Sequence, residues 1–295
     1  MVVVALSITG VINRTRALLA GRKGIRFLQH IYNVNLLLRK GAVYSTTTTA
    51  LFRIAPVIYL GATLLAFLFI PIADLEPLLS FHGDIVFVAY LLALSRVAIV
   101  LAAMDTGSSF EGMGAAREAL YGALGEPALM MGMATLALFC GYSSFADIFA
   151  TAQELNMNLT IVLLLVAYVF VGIMIIEAGL VPVDDPKTHL ELTMIHEVMC
   201  LDYSGVDMAL IHIAGWLKNA IFAIIAANAV AVAFSFHWWF AAPLAILATG
   251  IAIGVVESFR ARNKLSRNAT FILTIVAMSA LVLLTGFLLI QNIEI

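Results

Sequence analysis

Apolar runs of about twenty residues, divided by short polar connectors, dominate this sequence, and that is the length an α-helix needs to cross hydrocarbon. Eight runs can be drawn, at approximately residues 1–12, 50–72, 85–104, 120–140, 159–180, 208–234, 238–256 and 270–291, the first of them short. A bilayer core offers no water to exposed backbone N–H and C=O groups, so a chain built this way must satisfy them inside helices. Composition agrees: 63% of the 295 residues are hydrophobic and 12% are charged, with a mean hydropathy of +1.05. The expectation is one all-α integral membrane domain with eight spans. The apolar start lacks the basic opening and small-residue cleavage site of a signal peptide, so it reads as part of a span.

Charge between the runs predicts orientation. The first connector carries Arg14, Arg16, Arg22, Lys23, Arg26, Arg39, Lys40 and Arg53. The third carries Arg117, the fifth Lys187, and the seventh Arg260, Arg262, Lys264 and Arg267, whereas the second, fourth and sixth carry no Lys or Arg. Fourteen of sixteen basic residues therefore fall on one side, which the positive-inside rule makes cytoplasmic. Both termini are then outside, in a multi-pass protein of the cell inner (cytoplasmic) membrane. Within the first connector, GRKGIRFLQHIYNVNLLLRKG places Ile25, Leu28, Ile31, Tyr32, Asn35 and Leu36 at helical spacing. That pattern predicts an amphipathic helix at the cytoplasmic interface, in contact with the lipid bilayer. In the third connector, MDTGSSFEGMGAAREALYGALGEP, Glu111 and Glu118 are seven apart and share a helix face. They form either a carboxylate ladder leading into the membrane or a solvated face paired with Arg117; for connector charges alone the solvated face is the expectation.

Ionisable groups inside the spans are harder to explain as surface features. Arg96, Glu126, Glu177, Lys218 and Glu257 lie within or at the edge of apolar runs, where each is costly unless paired, protonated or hydrated. Five such groups in five spans favour a polar path through the bundle over a set of structural staples. The densest chemistry follows Glu177, in IEAGLVPVDDPKTHLELTMIHEVMCLDYSG. Pro182 and Pro186 break the helix there, and Asp184 or Asp185 can cap one restarting near Lys187. On that predicted helix His189, His196 and Cys200 fall near one face, close to Glu191 and Asp202. Histidines beside carboxylates suit proton handling, because an imidazole changes charge near neutral pH.

Several classes are excluded by what is missing. Cys140 and Cys200 are far apart and no CxxC pair occurs, so a thiolate-held cluster is not expected. His196-Glu197 is not followed by the second histidine of a zincin helix. Asp184-Asp185 lacks the spaced aspartates of a diphosphate-binding DDxxD. No internal repeat of the kind common in secondary transporters is evident, and nothing points to nucleic acid as a partner.

The stretch from Glu177 to Gly205 resembles the signature of the membrane subunit shared by respiratory complex I, where it is subunit 1, and energy-converting nickel–iron hydrogenases. GRKGIRFLQHIYNVNLLLRKG, MDTGSSFEGMGAAREALYGALGEP and VVESFRARNKL agree with it in order and spacing. MDTGS with GAAREA and GEP, and HLELTMIHE, resemble the hydrogenase branch of the formate hydrogenlyase subunit 4 type. The quinone-reducing branch is rich in Glu where His189 and His196 stand here, and Asp202 replaces the Glu of its EYSG.

The resemblance implies a docking subunit, non-catalytic on its own. Hydrogenase large and small subunits would bind its cytoplasmic loops and carry the nickel–iron centre and iron–sulfur clusters, with no cofactor in this chain. Antiporter-like membrane subunits would sit beside the bundle. It implies a proton or ion path over Glu126, Glu177, Asp184, Asp185, Glu191, His196 and Asp202, continuing through Lys218 and Glu257. Arg22, Lys23, Arg26, Glu111, Arg117 and Glu118 would contact the peripheral arm. A quinone-site subunit of a complex I-type enzyme is the alternative, and a standalone ion transporter a further one.

Overall fold

The structure, a computed structural model, describes residues 2–72, 75–152, 157–184, 194–234 and 238–293. Among them the regular elements are helices: α1 (Val2–Leu19), α2 (Gln29–Leu38), α3 (Ala50–Leu68), α4 (Asp84–Asp105), α5 (Ser109–Cys140), α6 (Phe145–Ala152), α7 (Met157–Glu177), α8 (Gly205–Ala233), α9 (Trp238–Phe259) and α10 (Leu265–Ile293). Six of these, α3, α4, α5, α7, α8 and α10, are long and apolar enough to cross a membrane, and α9 contributes a shorter apolar stretch at Ile246–Phe259. The protein is an all-helical, multi-pass membrane protein.

Two predicted extents change. Helix α1 runs on to Leu19, so Arg14 and Arg16 lie on its last turns and not in a connector. Helix α5 is continuous over Ser109–Cys140, so the supposed third connector and the run 120–140 are one element of about 48 Å. Good helix formers in EALYGAL carry it through, and Gly141 at φ 72° ends it as a left-handed cap. Pro127 sits inside it and removes one backbone donor at mid-length.

Contacts identify the two ends of the bundle. At the end carrying the basic connectors, Thr49 caps α3, while its N–H and hydroxyl both donate to Asp105 at the close of α4, at 2.7 and 2.9 Å. The Asn263 N–H donates to the Pro182 carbonyl at 3.0 Å, and Asn268 Nδ2 to the Val183 carbonyl at 2.7 Å. These bonds bind the turn after α7 to the chain around α10. At the opposite end, buried Asp84 accepts from Ser144 Oγ at 2.9 Å and from the Phe145 N–H at 3.0 Å, seating α6 on α4.

The centre of the bundle is α8, packed against α3, α7 and α9. Its run Ala220–Ala227 is buried on every side, as a helix apolar all round should be when other helices surround it. On α9, Gly250 and Gly254 let α1 approach closely: a Cβ would stand 3.0 Å from Val11 at the first and 2.8 Å from Thr15 at the second.

One local feature adds to the sequence reading and a second corrects it. In α2 the residue buried against the bundle is Val34, flanked by half-buried Ile31 and Leu37, whereas Leu28, Tyr32 and Leu36 point away. The helix is apolar on two faces, and the sequence pattern picked out the outer one. The second concerns Glu197–Cys200, which is a short 3-10 turn. His196 and Cys200 therefore do not share an α-helical face, and three residues per turn replace the 3.6 that the spacing assumed.

Candidate functional site

Charged side chains from four helices, a turn and a connector meet along one buried line. Arg96 comes from α4, Glu118 and Glu126 from α5, Glu177 from the last residue of α7, and Lys218 from α8. Asp184 and His196 flank the break after α7, and Arg262 follows α9. Arg96 is the hub. Its Nε lies 3.4 Å from Glu118, its Nη1 donates to Glu126 at 2.7 Å, and its Nη2 donates to Glu177. Lys218 Nζ reaches the other Glu177 oxygen at 2.5 Å. Toward the basic end, His196 Nε2 stands 3.2 Å from Glu118 and its Nδ1 3.9 Å from Asp184. Arg262 completes the line 3.2 Å from Asp184.

Burial is what gives these pairs weight. The side chains of Arg96, Glu118 and Glu177 are 7, 8 and 7% exposed, so each has lost its water and is tolerable only beside its counter-charges. A guanidinium is suited to the hub because its flat fork faces several carboxylates at once, which an ammonium cannot do. Along the helix axes, Arg96 is about 13 Å in from Asp105, and Lys218 about 20 Å in from Gly205. The line therefore runs from the basic end into the interior of the bundle.

Two glycines make room for it. A Cβ on Gly122 would stand 2.8 Å from Cδ and 2.9 Å from Cζ of Arg96, so α5 can accept the guanidinium only where it has no side chain. Gly179, at φ +59° after α7, packs its bare Cα against the His196 ring; a Cβ there would lie 3.0 Å from Cγ and 3.1 Å from Cε1. Gly179→Ala therefore combines an unfavourable left-handed backbone with displacement of the imidazole, a cost of about 2–4 kcal/mol. Its expected signature is a lower unfolding midpoint together with loss of any pH dependence that His196 confers, measured by thermal unfolding at pH 6 and pH 8.

Electrostatics outside the spans follow the geometry. Burial opposes a charged imidazole, but Glu118 and Asp184 outweigh it and hold His196 above its ordinary value of 6.5. Burial also works against an ionised Asp184, and there His196, the Ile195 N–H at 2.8 Å and Arg262 prevail and hold the carboxyl below its usual range. The Cys200 thiol is pushed up to about 12 by burial and by Glu111 and Glu197, which keeps it protonated.

The remaining sequence candidates fall in different places. Glu111 is fully buried and accepts the Asp202 N–H at 3.0 Å; with Glu118 buried on the same face of α5, the solvated face expected there is overturned. Arg117 instead donates to the Met194 carbonyl at 3.0 Å. Asp202 contributes that backbone N–H while the residue itself is exposed. Glu257 meets Arg16 at 3.5 Å near the basic ends of α9 and α1, an ion pair that ties the two helices together. Glu126, at mid-length on α5, has a side chain 45% exposed on the outer surface of the chain. Arg22, Lys23 and Arg26 are exposed in the α1–α2 connector. Asp185 and Glu191, with Lys187 and His189, lie outside the described residues.

Sequence reasoning named Arg96 as an intramembrane charge without giving it partners, and it passed over Arg262, Gly122 and Gly179. One signal was available for Arg96, a lone arginine at the middle of a 22-residue apolar helix. Among the described residues no three His, Cys, Asp or Glu side chains converge as metal ligands.

Fold and site together define a polytopic membrane protein with a buried ion-pair line reaching in from its basic end. The family model described as NADH dehydrogenase matches residues 1–288, and the chain belongs to that family. It is 32% identical over 216 residues to hydrogenase-4 component C of Escherichia coli K12, covering 73% of this chain and 67% of that protein. It is 31% identical over 204 residues to formate hydrogenlyase subunit 4 of the same organism, covering 68% and 65%. The matched segments thus span about two thirds of each relative's length. A chain in the structure of the membrane-bound sulfane sulfur reductase, an archaeal respiratory membrane complex, has the same fold. The TM-score is 0.74 over 96% of this chain and 94% of that one, at 21% identity.

Proposed function

We propose that this chain is the membrane subunit of an energy-converting hydrogenase complex of the formate hydrogenlyase kind, and that its buried ion-pair line is a proton path. One observation carries the reading: eight charged or titratable side chains run in contact from His196 and Arg262 at the basic end to Glu126 and Lys218 inside the bundle. A structural staple needs two charges. A line of this length, in a chain related to hydrogenase components, suits a device that moves charge.

In this reading the basic end faces the cytoplasm, in line with the charge asymmetry of the connectors, and the protein sits in the inner membrane. Hydrogenase large and small subunits dock there, over the exposed Arg22, Lys23 and Arg26 of the α1–α2 connector. Those partners hold the nickel–iron centre and the iron–sulfur clusters and carry out the redox chemistry. Antiporter-like membrane subunits lie along the bundle, and Glu126 on its outer face is the group placed to meet them. Coupling requires that the redox event stabilise two charge states of the line unequally.

Purification of the tagged chain in mild detergent tests the assembly. The expected result is co-purification of a hydrogenase large subunit with nickel and iron. Recovery with flavin and bound quinone instead would move the assignment to a quinone oxidoreductase, and recovery of the chain alone would overturn the docking role.

A further inference from the structure

We propose that His196 is the entry residue of the network: it takes a proton from solvent at the basic end and passes it to Glu118, with Asp184 fixing which ring nitrogen makes the transfer. This rests on the reading of the line as a proton path and specifies where a proton joins it.

Three observations place the entry here. The first is access. At the basic end the side chains of His196, Arg262, Glu118 and Asp184 are 27, 15, 8 and 2% exposed; His196 is the most open member, through its carbon atoms while both ring nitrogens are buried, and the only one whose ordinary titration lies near neutral pH. Glu126 is more open still, but at the middle of α5, where a membrane or a partner helix surrounds it.

The second is charge. Counted over the described residues, Arg96, Lys218 and Arg262 oppose Glu118, Glu126, Glu177 and Asp184, so these groups are neutral together when His196 carries a proton. One proton is thus the natural load of the network near neutral pH, and the imidazole is the group built to exchange it. The groups facing it are Glu118 on α5, Asp184 beside it, and Glu177 and Lys218 acting from α7 and α8; Arg96 lies beyond Glu118, Arg262 beyond Asp184, and Glu197 next in the chain. Glu118 and Asp184 dominate, which is why the proton is held above the ordinary 6.5 despite burial.

The third is orientation. Nε2 faces Glu118 Oε2 and Nδ1 faces Asp184, which is itself anchored by Arg262 and the Ile195 N–H. Gly179 leaves the ring free of side chain on one face. In the transfer the Nε2–H bond breaks and an O–H bond forms on Glu118. The neutral ring keeps its Nδ1–H toward Asp184; once the ring turns and brings the buried Nε2 to solvent, hydronium re-protonates it, an O–H bond of the hydronium breaking and water being released. Neither ring nitrogen is aligned for a direct hydrogen bond, so the step passes through a small ring rotation or an interposed water.

The test uses the intact complex in inside-out vesicles, which present the cytoplasmic side to the buffer. His196→Ala is expected to lower substrate-driven acidification about tenfold while redox turnover continues. Added imidazole is expected to restore it, methylimidazoles of different basicity in proportion to their basicity, and pyrazole, of similar shape but far less basic, not at all. In the wild type the acidification rate is expected to fall as pH rises through a value above 6.5, a limb absent from the variant without added base. Equal rescue by pyrazole would make His196 a space-filling residue and overturn the proposal. Should the alanine variant fail to assemble, His196→Gln is read for the same limb, and an unchanged pH profile in that variant would equally overturn it. No acidification by wild-type vesicles that still turn over would instead sink the path reading itself.

Discussion

Arg96→Leu is expected to be among the most damaging single changes in this protein. The leucine fits the space and suits the membrane, but it leaves Glu118, Glu126 and Glu177 without the cation they share. Lys218 can neutralise only Glu177, which it already contacts. Breaking a buried ion network from one side costs about 3–5 kcal/mol, because carboxylates out of water keep their desolvation penalty and lose its compensation. The expected observation is a lower unfolding midpoint in detergent and reduced recovery of assembled complex. Arg96→Lys should recover part of the loss, since one ammonium cannot face three carboxylates. Combining Arg96→Leu with glutamine at positions 118 and 126 should recover stability, because Glu177 keeps Lys218 as its counter-charge and no buried carboxylate is left without one. An unchanged midpoint in Arg96→Leu would mean that the carboxylates are already neutral and that the ion network is not the ground state.

Gly205→Ala is the second large effect, at the start of α8. Gly205 opens α8 at φ +56°, and a Cβ there would lie 2.7 Å from the Gly41 carbonyl carbon and 2.8 Å from the Lys40 carbonyl oxygen. Both are backbone atoms and cannot swing aside as a side-chain tip would. Around this contact the Val43 N–H donates to Ser204 Oγ at 3.0 Å. Tyr203 stacks on Phe52 with ring centroids 4.0 Å apart and donates its hydroxyl to the Phe52 carbonyl at 2.8 Å. The LDYSG turn is therefore the seat of the first connector, and filling it should cost about 2–4 kcal/mol and lift that connector away. Faster tryptic cleavage at Arg39 and Lys40 would report it. Gly61→Ala, where a Cβ would meet nothing within 4 Å, is the control expected to leave cleavage unchanged. Equal cleavage in wild type and Gly205→Ala would show that the connector does not depend on this contact.

These two residues also show what can be read from such a sequence. Apolar length fixes helices well, because a bilayer leaves the backbone no alternative. It fixes helix ends poorly where the helix continues into water, as α1 and α5 do. It also fails to say which way a residue faces when both sides of a helix are apolar, and in α2 the buried face is Val34 and not the Leu28, Tyr32, Leu36 stripe. Glu111 and Glu118 could be placed on one face from their spacing, but that the face is buried depends on packing by the turn around His196 and by α4. The charges of the site were visible one by one. Their convergence was not, since Arg96, Glu118, Glu177 and Lys218 are distant in sequence and only the packing of α4, α5, α7 and α8 brings them together.

Proton movement through Glu118 tests the central claim most directly. Glu118 joins His196 to Arg96, and Glu118→Gln keeps its shape and part of its hydrogen bonding while removing the carboxylate that would carry the proton. In inside-out vesicles holding the intact complex, with redox turnover and acidification recorded together, the variant is predicted to keep assembling and turning over. Its acidification per turnover is predicted to fall about tenfold. Acidification per turnover equal to wild type would contradict the account and leave the ion-pair line as a scaffold for the bundle.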